Sequence, residues 1–186
     1  MQERENVLRI FREAETAIEK GDNVRLKTLS DETIHTASIT QDADNLAVAV
    51  MIYSLSKILE RENYRKLKGW GEFYSLIKKS VGRILVALEK NDEGEISRSM
   101  DVFRSAVEKL SGNLKEYIAD VFQKARINKA SRIYEHGVSM EKTAKLLGIT
   151  MWELAEYSGQ KRTADESPNH PSSAKQRIKI AMEIFG

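Results

Sequence analysis

The chain contains no cysteine, which excludes disulfides, thiolate zinc sites and thiol nucleophiles together. It has only two prolines, and both fall within "QKRTADESPNHPSSAK" (Gln160 to Lys175), so the rest of the length lacks the commonest helix breaker. Long apolar runs are also missing. "LAVAVMIYSL" (Leu46 to Leu55) falls well short of the ~20 residues that a membrane-spanning helix needs, and "MQERENVLRI" lacks the apolar core of a secretory signal. The expectation is a cytoplasmic protein with no membrane partner. Neither a Gly-rich phosphate loop nor a nucleophile elbow is present. Histidine is scarce: His35, with Asp31, Asp42 and Asp44 near it in sequence, does not have the ligand spacing of a metal site. "RIYEH" (Arg132 to His136) is spaced too tightly for the Arg-then-His arrangement of helical ribonucleases. No catalytic residue, metal or cofactor is expected, so the chain reads as a non-enzyme.

What is present points to helices. Hydrophobic residues make up 41% of the chain and charged residues 31%, the balance of a soluble globular protein. A length of 186 residues suits one core plus a small module. Val7, Ile10, Phe11, Ala14, Ala17 and Ile18 repeat at three- and four-residue steps, so residues 3 to 20 are predicted as an amphipathic helix stopped at Gly21. A helix from about 24 to 37 follows. Asp42 is placed to cap a helix over 43 to 66, which is apolar on every side from Leu46 to Leu55 and should be the central one. Gly69 and Gly71 mark a turn, and another amphipathic helix runs to Leu88. From Ile96 a heptad seam begins: Ile96, Met100, Phe103, Val107, Leu110, Leu114, Tyr117 and Val121. It predicts either one helix over 95 to 125 or two joined at Ser111 to Asn113, forming a bundle wall or, less favoured, a homodimer interface.

The fold class expected is therefore all-α. An N-terminal helical bundle with long antiparallel helices spans 1 to 125, a tri-helical module 126 to 160, and a linker with an amphipathic C-terminal helix 161 to 186. That last helix, carrying Ile178, Ile180, Ala181, Ile184 and Phe185, is too short to be stable alone and must dock on its own fold or on a protein partner.

Net charge is only +2, but cations cluster in "RENYRKLKGWGEFYSLIKKSVGR". Arg61, Arg65, Lys66, Lys68, Lys78, Lys79 and Arg83 are interleaved there with Tyr64, Trp70, Phe73 and Tyr74. Cations among rings are a recipe for binding RNA, or a ribosomal surface, by charge and base stacking. Trp70, Phe73 and Ile77 share one helical stripe, however, so a solvated basic face over an aromatic core is the favoured reading.

"MEKTAKLLGITMWELAEYSG" (Met140 to Gly159) carries the most specific pattern. Ser139 can cap a first helix, Ala144 is small enough for a close crossing, and Gly148 supplies a left-handed turn. Leu147, Ile149, Leu154 and Tyr157 would face inward. "TAKLLGI" (Thr143 to Ile149) resembles the helix-turn-helix of phage repressors and Cro-type proteins, and "ASRIYEHGVS" (Ala130 to Ser139) is similar to the support helix of small prokaryotic antitoxins. The resemblance covers residues 126 to 159 and implies a second helix entering the major groove of DNA. By position it assigns Thr150, Met151, Trp152, Ala155 and Glu156 to the outward face, with Glu153 beside them. Lys142, Lys145, Lys161 and Arg162 flank the module as phosphate contacts. The outward set departs from the family pattern, because it offers carboxylates and a tryptophan in place of the paired donors that recognise guanine or adenine. Duplex DNA is the first expected partner; RNA, the ribosome or another protein chain is the alternative.

Overall fold

The computed structural model describes residues 3–165. Eight α-helices and no strand occur among them: α1 (Arg4–Lys20), α2 (Asn23–Thr40), α3 (Ala43–Leu59), α4 (Trp70–Glu89), α5 (Glu93–Glu108), α6 (Gly112–Glu135), α7 (Met140–Leu147) and α8 (Met151–Asp165). The all-α class read from the sequence is the class observed. Of the stretch expected as a linker, residues 160 to 165 continue α8. The remainder, with the expected C-terminal helix, lies outside the described residues.

Three aspartates set helix starts. Asp22 accepts from Arg25 N at 2.8 Å, Asp42 from Asp44 N at 2.9 Å and Asp92 from Glu95 N at 2.9 Å, each satisfying an amide of a first turn that has no partner within its helix. α3 packs on α1, α2, α6 and α7, the central position its all-round apolar surface requires. It does not continue to residue 66 as expected. It ends at Leu59, and Glu62–Lys66 forms a short 3-10 helix. The cause is Tyr64, the one ring in a polar run, which turns back into the core at 5% exposure, while Arg65 donates to the freed Leu59 carbonyl at 3.4 Å.

The heptad seam runs over two helices, α5 and α6, broken at Lys109 to Ser111; Gly112 opens the second at φ 60°, a conformation glycine adopts at no steric cost. Ile96, Phe103, Leu114 and Val121 are buried within the chain, and Met100, Val107 and Leu110 pack against the same core. Tyr117, exposed to 44%, stacks on Tyr64 with centroids 5.4 Å apart. The chain's own bundle occupies the seam.

Two apolar cores result. The larger joins α1, the start of α2, α3, α4, α5 and the first half of α6; the second joins the end of α2, the start of α3, the second half of α6, α7 and α8. Phe122 on α6 touches both. α6 passes unbroken through residues 125 and 126, where a boundary between bundle and module was drawn from the sequence. Arg9 and Arg25 bridge Glu13 and Glu32, linking α1 to α2. The Arg25 hydrogen bond, foremost, holds the Glu13 carboxyl below its usual pKa.

Candidate nucleic-acid interface

Residues 139 to 157 are held by local capping and by α6. Ser139 Oγ accepts from Lys142 N at 3.3 Å, and α7 then buries Thr143, Ala144 and Leu147. Gly148 closes the helix at φ 62°, and Ile149 N donates to Ala144 O at 3.1 Å. Thr150 and Glu153 bond reciprocally: the Thr150 amide and hydroxyl each donate to Glu153 Oε2 at 2.8 Å, and Glu153 N donates to Thr150 Oγ1 at 3.1 Å. This is a capping box, and α8 begins immediately inside it.

The underside of α8 is anchored on α6. Leu154 is fully buried, Gln123 Nε2 donates to Glu153 Oε1 at 2.6 Å, and Asn128 Nδ2 donates to the Tyr157 hydroxyl at 2.9 Å. Leu147 and Ile149 are buried in the same core, as their spacing implied. The Thr150 amide, foremost, and then its hydroxyl hold the Glu153 carboxyl below its usual pKa; Gln123 and the Arg126 charge add to this.

Glu153, which the motif sets beside the outward residues, is turned back onto the helix start and α6. Thr150-Met151-Trp152-Glu153 carried the signal, a threonine followed three residues later by glutamate. Glu153→Ala is expected to lower stability, and Glu153→Gln to lower it less, because the amide oxygen still accepts. Urea unfolding of the two variants checks it.

Thr150, Met151, Trp152, Ala155 and Glu156 do lie exposed. Trp152, at 79%, is the most exposed large apolar side chain among the described residues, and Met151 beside it reaches 54%. Lys145 is exposed near the end of α7; Lys142 is also exposed and its Nζ donates to Gln41 Oε1 just past the end of α2. Lys161 and Arg162 belong to α8.

The second basic region is arranged differently. Arg65, Lys66, Lys68, Lys78, Lys79 and Arg83 are exposed, and Arg61 is half-buried over the Tyr64 ring, 5.4 Å from its centroid. The interleaved rings face the core. Phe73 is 3% exposed, Trp70 stacks on Tyr74 at 5.8 Å, and the Tyr74 hydroxyl donates to Ile18 O at 3.0 Å. Lys66, Lys68, Lys78, Lys79 and Arg83 have no carboxylate partner among the described residues.

One buried charge gave no signal in the sequence. Lys129, on α6, is fully buried; its Nζ donates to Asp31 Oδ1 at 2.8 Å and sits 4.2 Å from the centre of the Tyr53 ring. Burial pushes the Lys129 ammonium below its usual pKa, against the opposing pull of Asp31, and burial also raises the Tyr53 phenol. Asp31 therefore points to Lys129, and His35 meets His136 edge-on, ring centroids 5.9 Å apart. No group of three residues suited to a metal occurs among the described residues, and none of their helices is long and apolar enough to cross a membrane. Comparison with protein-family models, curated proteins and solved structures finds no match for this chain.

Proposed function

We propose that the chain is a cytoplasmic, non-enzymatic regulator in which α7, the turn at Gly148 and α8 act as a helix-turn-helix, presenting the start of α8 to duplex DNA. The observation that carries this reading is the contrast across one helical turn. Met151 and Trp152 stand in solvent, while Glu153 and Leu154 tie the same turn to α6. A rigid helix start with exposed side chains is what insertion into a major groove requires. Withdrawal of Glu153 into the cap also takes one of the carboxylates off the face that would meet phosphates, which matters because affinity for nucleic acid rests on cations displacing counterions. Met151 and Trp152 suit apolar contact with thymine methyl groups, and Lys142 and Lys145 the adjoining backbone. Since the heptad seam is buried inside the chain, each copy engages DNA through its own module, and a homodimer would pair through some other face.

A second reading, binding of structured RNA or a ribosomal surface, is supported by the exposed, carboxylate-free cations at 66, 68, 78, 79 and 83. With the rings turned inward, such contact would follow the phosphate backbone without base stacking.

Fluorescence anisotropy against a random-sequence duplex and a structured RNA, each titrated with salt, tests both. Lys142→Glu with Lys145→Glu is expected to weaken duplex binding and to lower the salt slope by about 1.8, at roughly 0.9 per lost phosphate contact. Lys78→Glu with Lys79→Glu should leave the duplex unaffected. The reverse pattern on RNA supports the second reading, and failure to bind either leaves Trp152 and Met151 as a protein-docking surface.

A further inference from the structure

α5 packs along α4 and meets α6 only sparsely, and a cavity of about 500 Å³ is left between α3, α5, α6 and α7. Two alanines help to keep it open: Ala47 of α3 and Ala119 of α6 both line it and carry side chains too short to cross it. Packed interiors hold few voids larger than a water molecule, whereas this cavity has roughly sixteen times the volume of one water in the liquid. Its size lies in the range of small-molecule sites, about 300–1,000 Å³. A docked helix, about 10–12 Å across with its side chains, would fill it with about a single turn, so the space fits a small molecule and not a segment of protein.

The walls decide which small molecule. Phe103 and Phe122 stand edge to face there, ring centroids 5.8 Å apart, and Met51, Met100 and Leu146 extend the apolar surface. Ring edges and adaptable thioethers suit a flat aromatic body. Two charged side chains also line the cavity. Glu108 is exposed, so its carboxylate is hydrated where the cavity meets solvent. Arg126 is half-buried, is hydrogen-bonded to Gln123, and its charge acts on Glu153, so it is already engaged with the side chains that hold the start of α8. A charge carried by a ligand into the apolar part would lose its water with nothing there to replace it.

We propose that this cavity is a binding site for an uncharged aromatic molecule of two or three rings. Such a ligand buries its faces against Phe103 and Phe122 and touches four helices at once. No residue of α8 lines the cavity, so the inference is independent of the DNA reading.

Titration of the full chain with N-phenyl-1-naphthylamine, an uncharged three-ring probe whose emission rises in apolar surroundings, tests it. Saturable binding to one site is expected. Ala47→Phe and Ala119→Trp, each placing a ring in the cavity, should weaken that binding about tenfold or more. Ala119 is exposed, so its variant leaves the buried core unchanged, and circular dichroism confirms that both variants are folded. 8-Anilino-1-naphthalenesulfonate, the same ring set carrying a sulfonate, should bind about tenfold more weakly than the uncharged probe. Trp152→Ala, outside the cavity, should bind the probe as the parent chain does. No rise in emission, or an affinity that neither filled variant lowers, would overturn the site. Loss of binding in Trp152→Ala would place the probe on the exposed start of α8 and overturn the site equally, and equal affinity for the sulfonate would overturn the uncharged class. None of these readouts involves nucleic acid, so they stand or fall apart from the DNA reading.

Discussion

Replacing Asp31 with alanine is expected to destabilise the chain by about 3 kcal/mol, as happens when one partner of a buried ion pair is removed and the other stays behind. Lys129 is the partner that stays. Its side chain is fully buried, whereas that of Asp31 is 49% exposed. Loss of the carboxylate leaves the ammonium against the face of Tyr53. Asp31→Asn should fall between, because its amide oxygen still accepts from Nζ. The reciprocal change behaves differently. Lys129→Met keeps the length of the stem and removes the charge, and Asp31, half in water, is then hydrated; stability should change by less than about 1 kcal/mol or rise. The pH dependence gives a second check. The folded-state pKa of Lys129 lies below its unfolded value of 10.5, so between those two values the unfolded chain binds more protons and this group's contribution to stability grows with pH. That contribution is lost as pH falls through the folded value. Any advantage of Lys129→Met over the parent chain should therefore shrink as pH approaches 10.5. Chemical unfolding of parent and variant from neutral to alkaline pH measures it, and a gap constant with pH would refute a charged, burdened Lys129.

Why that lysine was invisible in the sequence follows from how α6 packs. Leu114, Ile118 and Val121 face the larger core, and Ala125, Ala130 and Ile133 the second. A helix that serves two cores in succession does not keep its apolar residues on one stripe, so the inward position of residue 129 leaves no periodic mark. Where a helix serves one core, the pattern was plain. α1 follows Val7, Ile10, Phe11, Ala14 and Ile18 from end to end, and the inward set Leu147, Ile149 and Leu154 was readable beside its glycine and serine punctuation. Tyr64 was obscured by its neighbours: the polar run "RENYRK" contains a single ring, and only tertiary packing turns it inward and ends α3 seven residues early. Glu153 was legible in principle. The threonine three residues before it is a capping pattern, and the unpaired amides of the helix start draw its carboxylate back.

Within α8, adjacent positions should separate stability from binding. Leu154→Ala is expected to cost about 3 kcal/mol, since a fully buried leucine that closes the second core leaves both lost transfer energy and a cavity behind. Trp152→Ala should change stability by no more than about 0.5 kcal/mol, because the ring is 79% exposed and contributes little to the core. If the start of α8 is the contact surface, Trp152→Ala should instead weaken complex formation by about 2 kcal/mol, some thirtyfold, the size expected of a tryptophan at the centre of an interface. The two substitutions therefore move opposite readouts. Thermal or urea unfolding should register Leu154→Ala alone, and anisotropy, at a temperature where both variants are folded, should register Trp152→Ala most. Should Trp152→Ala leave duplex DNA, RNA and protein capture all unchanged, the exposed ring has no part in recognition, and the basic face around Lys78 and Lys79 becomes the surface to pursue. A weakened grip on duplex DNA with an undiminished salt slope would show Trp152 acting through apolar contact with the bases, while Lys142 and Lys145 continue to hold the phosphates.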